Sequence, residues 1–184
     1  MSEIADRYKR VADGFTARAE RMTPTTWERP TPCEGWVARD VVRHLVEWIP
    51  AFLVAAGGPA LDEGPSVDDD PVGAWTTLSA GVQELLNDPS TCALVITHPQ
   101  AGTHRLDEAV AMFFVGDILV HTWDVARSGG LDETLDREVV HDMLVGMEPL
   151  DDVLRSSGQY GPRVAVRPDA DEQTRLIAFT GRQP

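Results

Sequence analysis

Apolar residues recur at spacings of three and four along most of the chain, and this is the period of helices that pack one face against a core. In the first such run, residues 3–21, the inward face would carry Ile4, Tyr8, Val11 and Phe15. The same period predicts further helices over residues 37–56, 71–87, 106–127, 135–147 and 171–179. Helices of this length, joined by loops, predict an all-α bundle.

Proline and glycine set the expected ends of these helices. Residues 23–36 hold three prolines and a glycine and are predicted to be a loop, as is the acidic stretch 57–70. Asp70 followed by Pro71 is typical of a helix start, because Asp caps the first turn and Pro fits it. Pro50 is expected to kink or interrupt the helix over 37–56, since it lacks a backbone donor. Gly129 and Gly130 should end the helix over 106–127.

Two short segments depart from the helical period. The β-branched run CALVIT at residues 92–97 predicts a strand or an extended connector. RVAV at residues 163–166 is predicted to be extended, and with the last helix it would form a small C-terminal α/β appendage. Because no repeat or clear linker divides the chain, residues 1–184 are expected to form a single domain of mainly α-helical class.

Composition and charge narrow the function. The chain of 184 residues is 42% apolar and 25% charged, which is typical of globular proteins. Its net charge of −14 disfavours nucleic acids and anionic membrane surfaces, because phosphate binding relies on Lys and Arg. The first residues lack the apolar core of a signal peptide, and no run is expected to span a membrane, so we expect a cytoplasmic protein. Two cysteines exclude a disulfide framework and a cysteine zinc cluster.

The segment FFVGDILVHTWDVA, residues 113–126, places polar side chains within an apolar helix. Asp117 and His121 are four residues apart and therefore share one helix face. A helix that is apolar nearly all round is buried, and a buried carboxylate costs several kcal/mol unless it is paired or bound to a metal. Asp117 therefore needs a partner from elsewhere in the chain.

A second imidazole, that of His44, lies on the inner face of the predicted helix over residues 37–56. His44, Asp117 and His121 together form a three-ligand set that suits a zinc-like ion and leaves a fourth position open. The alternative is a core network in which Asp117 accepts a hydrogen bond from His121 and from a water. The residues alone leave both interpretations open.

Other candidates have weaker patterns. Asp124 could accept from a ligating histidine or pair with an arginine, and Asp40 could orient His44 or favour the start of its helix. Glu47 is a charge at the rim of the site and the candidate general base. Cys33 and Trp48 are expected to serve packing. Three arginines lie near enough to these residues in the sequence to be candidates for binding an acidic substrate, namely Arg39, Arg43 and Arg127. Three histidines are not expected to be metal ligands, namely His98, His104 and His141.

Two motifs carry a resemblance to a known family. TPCEGWVARDVVRHLVEW (31–48) and GDILVHTWDVARSGG (116–130) resemble the actinobacterial mycothiol-dependent maleylpyruvate isomerase-like proteins, in the wider DinB/YfiT-like metal-binding superfamily. The closing segment, residues 161–184, resembles one branch of that group. The resemblance implies a four-helix bundle with a divalent metal on His44, Asp117 and His121. The characterised isomerases carry Glu in place of Asp117 and have a longer C-terminal domain.

The function implied by the resemblance is a metal-dependent transferase or isomerase that acts on a small molecule. Zinc is the expected ion, with nickel or iron as alternatives, and mycothiol or another low-molecular-weight thiol is the implied cofactor. The other functions considered are a non-catalytic bundle that binds a metal or ligand, a metal-dependent hydrolase, and an Fe(II) oxygenase, whose iron often has two His and one carboxylate as ligands. A homodimer stays open as the oligomeric state.

Overall fold

The computed structural model describes residues 2–156 and 160–184, and within them it is mostly helical with one small two-stranded sheet. The α-helices are α1 (Glu3–Ala19), α2 (Pro24–Trp27), α3 (Ala38–Ala55), α4 (Pro71–Asn87), α5 (Pro89–Cys92), α6 (Leu106–Ala109), α7 (Val115–Gly129), α8 (Arg137–Met147), α9 (Asp151–Ser156) and α10 (Glu172–Phe179). Strands β1 (Val95–His98) and β2 (Gly102–Arg105) form an antiparallel hairpin. The mainly α-helical class predicted from the sequence is confirmed.

The four long helices enclose the core by packing in pairs. Each contacts two of the others, α1 with α4 and α7, and α3 likewise with α4 and α7. Between α1 and α4 the rings of Phe15 and Trp75 lie 4.5 Å apart, and the Trp75 indole donates to the Thr16 hydroxyl at 2.8 Å. The direct contact between α3 and α7 matters for function, because the predicted ligands lie on these two helices.

Two effects predicted for proline are not seen, namely a loop over the whole of residues 23–36 and an interruption of α3 at Pro50. Residues 23–36 are not all loop, because Pro24 takes the first position of α2 and the Thr23 side chain accepts from the Thr26 backbone N–H. Proline starts a helix there, since the first turn needs no donor from it. Helix α3 runs through Pro50 without interruption. Its flanks are held by fully buried Ile49 and Leu53, whose packing outweighs the one backbone bond that proline removes.

The predicted extended run at residues 92–97 is a strand only from Val95, because Cys92 ends helix α5. Its partner β2 was not predicted. The residues of β2 are mostly exposed, so they carry no alternating apolar pattern that could mark a strand. Gly102 begins β2 with a φ of 85°, a conformation that glycine adopts without strain.

The helix predicted over residues 106–127 is a helical run from Leu106 to Gly129 that contains a π-helical turn, Val110–Phe114, between α6 and α7. Gly130 ends it with a φ of 65°, as predicted. By length and composition this run could cross a membrane, contrary to the expectation that no segment approaches that limit. However, 72% of its most apolar window is buried, as in the core helix of a globular protein.

The C-terminal part packs back onto the bundle. Helix α8 is followed by a 3-10 turn, Glu148–Leu150, and by α9, and α10 packs on α8. RVAV lies in a segment without helix or strand, and within the described residues it joins no sheet, although the Val164 N–H donates to the Ala178 carbonyl. Leu176 and Ile177 of α10 are fully buried, so the tail is fixed to the core.

Helix α4 offers a test of capping. Its N-cap Asp70 accepts from the Gly73 backbone N–H at 2.8 Å. Replacing Asp70 with Ala should lower the free energy of unfolding by about 1 kcal/mol, the usual cost of losing a cap. Asp69→Ala is the matched control, because the exposed neighbouring side chain does not cap the helix. Equal urea midpoints for the two variants would contradict the capping role.

Candidate metal centre

The structure brings His44 of α3 together with Asp117 and His121 of α7. The His44 Nε2 lies 3.2 Å from Asp117 Oδ2, and the His121 Nε2 lies 3.5 Å from Asp117 Oδ1. The three ligand-type atoms all lie within 4.8 Å of one another. The convergence expected from the two helix faces is therefore present.

The spacing suits a single ion. Ligand atoms at ~2.0–2.1 Å from a tetrahedral ion lie roughly 3.3–3.4 Å from each other. The distances from the two imidazoles to the Asp117 carboxylate, 3.2 Å to Oδ2 and 3.5 Å to Oδ1, are close to this value but join different oxygens. The side chains of His44 and Asp117 are 31% and 29% exposed, so the group opens to solvent on one side. Because such distances also suit hydrogen bonds, the metal role of these residues stays a prediction.

Asp124 contacts the edge of the His121 ring that lies opposite Asp117. Its Oδ2 lies 2.9 Å from His121 Nδ1, which leaves Nε2 facing Asp117. Metal-ligating histidines usually have a carboxylate or carbonyl at their second nitrogen. Asp124 itself is fully buried and receives two hydrogen bonds of 2.7 Å from the Arg182 guanidinium. Both roles considered for Asp124, acceptor from His121 and partner of an arginine, are realised together.

Cys33 closes this buried cluster from the loop before α3. Its thiol lies 3.5 Å from Asp124 Oδ2 and 3.2 Å from the Arg182 guanidinium, so it does more than pack. Cys33, His121 and Asp124 also have ligand-type atoms within 4.8 Å of one another. The Arg182 cation already sits against this second group, and its charge repels a further cation there.

Aromatic side chains form the walls of the site. The Trp48 indole, expected to serve packing, donates to Asp117 Oδ2 at 2.9 Å and so fixes the carboxylate. The ring of Trp36 lies 5.3 Å from that of His44 and stacks at 6.0 Å on that of His121. These contacts pack aromatic rings against both imidazoles.

The pKa shifts reflect a deficit of positive charge. For Asp117, burial raises the pKa, but the neighbouring His121 and His44 outweigh it and the net pKa is lowered. For Asp124, burial likewise raises the pKa, yet the hydrogen bonds from His121 and Arg182 bring it to about 2. For His121, burial lowers the pKa, whereas the charge of Asp117 and the hydrogen bond to Asp124 raise it to about 10. Two carboxylates thus face one arginine, and either a proton on His121 or a bound cation balances them.

The remaining predicted residues lie away from the triad. Glu47 is exposed on α3, and among the described residues it makes no hydrogen bond or ion pair with the triad. Asp40 accepts from the Val37 backbone N–H at 2.9 Å, so it serves the start of α3. His98 and His104 lie on the hairpin strands, His98 stacked 4.4 Å from Phe52.

The three arginines considered for an acidic substrate are each paired with carboxylates of the chain itself. Arg39 lies 2.6 Å from Glu28, and Arg43 lies 2.7 Å from Asp68. Arg127 pairs with Glu133 at 2.6 Å, and its guanidinium covers the ring of Trp123. His141, which was not expected to be a ligand, pairs with Glu172 at 2.8 Å.

Sequence reasoning missed two contributors, Arg182 and Trp36. The one available signal was Asp124 itself, since a charged residue on a buried helix face demands a counter-charge. Nothing in the sequence indicates which arginine supplies it.

Comparisons with known proteins identify the family of the chain. The model of the mycothiol maleylpyruvate isomerase N-terminal domain matches residues 8–126, which include all three predicted ligands. Uncharacterized proteins from two strains of Mycobacterium tuberculosis are each 28% identical to this chain over 184 residues, covering 95% of this chain and 95% of each relative. No solved structure matches the chain significantly. Because the family model covers well over half of the sequence, the chain belongs to the mycothiol maleylpyruvate isomerase N-terminal domain family.

Proposed function

We propose that this chain is a DinB-like four-helix bundle in which His44, Asp117 and His121 hold one divalent ion, with zinc favoured over nickel or iron. In this proposal it acts with mycothiol, or a similar low-molecular-weight thiol, as a transferase or isomerase on a small molecule. The observation that carries the proposal is the convergence of three ligand atoms within 4.8 Å at a site whose His44 and Asp117 side chains are partly exposed. A partly exposed ligand set leaves room for a thiol or substrate.

A zinc-like ion at this site would lower the pKa of a coordinated thiol, so that the thiolate would be present at neutral pH. The chain's own residues contribute orientation. The Trp48 indole holds Asp117, Asp124 holds His121, and the Trp36 ring shields both imidazoles. We further propose that residues 1–184 act as one cytoplasmic domain without a nucleic-acid or membrane partner, and a homodimer stays open.

Glu47 is retained in the proposal as the candidate general base. It is exposed one turn beyond His44 on α3, and its charge acts on Arg43. A base at the rim could take a proton from a substrate bound over the triad, provided that the substrate brings the proton within hydrogen-bond reach. Loss of turnover in Glu47→Gln with unchanged metal content would support this role.

One observation favours a second function, a non-catalytic bundle that binds a metal or ligand. Arg39, Arg43 and Arg127 are all engaged by carboxylates of the chain, so none of the three is free for an acidic substrate. An isomerase of a dicarboxylate would need such a group. A binding protein, or a transferase with an uncharged substrate, would not.

Cobalt substitution tests the metal and the thiol in this proposal, and turnover with and without the thiol separates an enzyme from a binding protein. The protein purified without added metal should contain about one divalent ion per chain, and elemental analysis identifies it. Added mycothiol should give the cobalt form an intense sulfur-to-metal charge-transfer band and release a proton near neutral pH, because coordination deprotonates a thiol.

The matched control is His44→Ala, which should show neither one bound cobalt per chain nor the band. If saturating thiol leaves the cobalt spectrum unchanged while small carboxylates or hydroxamates shift it, the thiol role is wrong. A hydrolytic or ligand-binding function would then take its place.

A further inference from the structure

The carboxylate of Asp124 is held from two sides. It is fully buried, it lies 2.9 Å from His121 Nδ1, and both of its oxygens receive a hydrogen bond of 2.7 Å from Arg182. A paired guanidinium fork restrains a carboxylate in its plane more strongly than a single donor does. Arg182 therefore fixes the direction from which Asp124 meets the imidazole.

Arg182 is itself held in place by the tail. Its backbone N–H donates to the Ile177 carbonyl at the end of α10, and Ile177 is fully buried. Its side chain is only 13% exposed and also contacts the Cys33 thiol at 3.2 Å. The next residue, Gln183, accepts a hydrogen bond from Arg127 of α7. The C-terminal tail thus holds the Arg182 cation in place against Asp124, next to the predicted metal centre.

The contact between Asp124 and His121 Nδ1 controls which nitrogen of the His121 ring faces Asp117. With Nδ1 held by Asp124, Nε2 faces Asp117 at 3.5 Å. Release of Asp124 would allow the ring to turn about its side-chain bonds, and Nε2 would lose its fixed direction. A group that orients a ligating histidine commonly changes metal affinity roughly 10–100-fold.

We propose that Arg182 is a positioning residue that, through Asp124, locks the His121 ring for ligation, so that the metal centre is completed by the C-terminal tail. The family match ends at residue 126, and Arg182 lies beyond it. The inference rests on the proposed function for its effect on metal binding. The fixed His121 ring can be tested separately on metal-free protein.

The experiment compares Arg182→Met with the unmodified chain. Arg182→Met should bind cobalt or zinc roughly 10–100-fold more weakly in a competition assay against a chelator, with altered cobalt ligand-field bands. In the metal-free protein, proton NMR with labelled histidine should show a slowly exchanging Nδ1 proton of His121 in the unmodified chain and its loss in Arg182→Met. Arg182→Lys should lie between the two, because it keeps the charge but not the fork.

Arg175→Met is the control, because it removes another arginine contact of the C-terminal part, the pair with Glu148, without touching Asp124 or Arg182. A purely structural role for Arg182 would lower the melting temperature and leave the metal dissociation constant of the folded protein unchanged. That result, or a retained Nδ1 signal in Arg182→Met and Arg182→Lys, would overturn the inference. If the unmodified chain bound no metal, the proposed function would fail, and the NMR comparison would still decide whether Arg182 fixes His121.

Discussion

Metal affinity is expected to fall by at least roughly a hundredfold in the Asp117→Asn variant, because loss of a charged ligand should cost more than loss of a group that only supports one. Asn keeps the size of the side chain and can still accept from the Trp48 indole, which donates to Asp117 at 2.9 Å. The fold should therefore persist while the charge that attracts the ion is gone. A chelator competition assay measures the affinity, and elemental analysis of the purified variant measures the metal stoichiometry.

Asp124→Asn is the matched control, since it removes a carboxylate from the same helix at a fully buried position. It should retain nearly normal stoichiometry when metal is in excess, because Asp124 supports His121 from behind instead of facing His44. Equal stoichiometry in both variants, or loss only in Asp124→Asn, would show that the wrong carboxylate has been assigned as the ligand.

The triad could be predicted because two helix periods determine it. An apolar face fixes which side of a helix meets the core, and residues four apart must share that side. His44 lies among the buried Val41 and Leu45, while Asp117 and His121 follow the buried Phe114. Once two such faces pack against each other, as α3 and α7 do, their polar residues must meet.

Helical periodicity alone could not predict the contact between Arg182 and Asp124. Arg182 and Asp124 are 58 residues apart, and no periodicity links an arginine in a tail to one carboxylate in a core helix. The same limit explains β2, since its pairing with β1 depends on backbone groups that the side-chain pattern does not reveal. The π-helical turn before α7 is a further example, because its residues continue the apolar pattern of the predicted helix.

Removal of the Asp124 carboxylate alone, in Asp124→Leu, is expected to lower the free energy of unfolding by about 3–5 kcal/mol, because it leaves the Arg182 charge buried without its partner. Arg182 is only 13% exposed, so water cannot replace the two lost hydrogen bonds. For a chain of this length the loss corresponds to a melting temperature roughly 6–20 °C lower. Every sample should contain a chelator, so that bound metal does not contribute to stability.

The double variant Asp124→Leu with Arg182→Met measures how strongly the two buried charges depend on each other for stability. Replacing both partners of a buried ion pair with apolar side chains is often nearly neutral, because the desolvation cost of the charges disappears together with their attraction. The double variant should therefore regain most of the stability lost in Asp124→Leu. Recovery should be incomplete, since His121 Nδ1, which lies 2.9 Å from Asp124 in the unmodified chain, still lacks an acceptor. If the double variant is as unstable as the sum of the two single variants, the charges are not coupled as the geometry indicates.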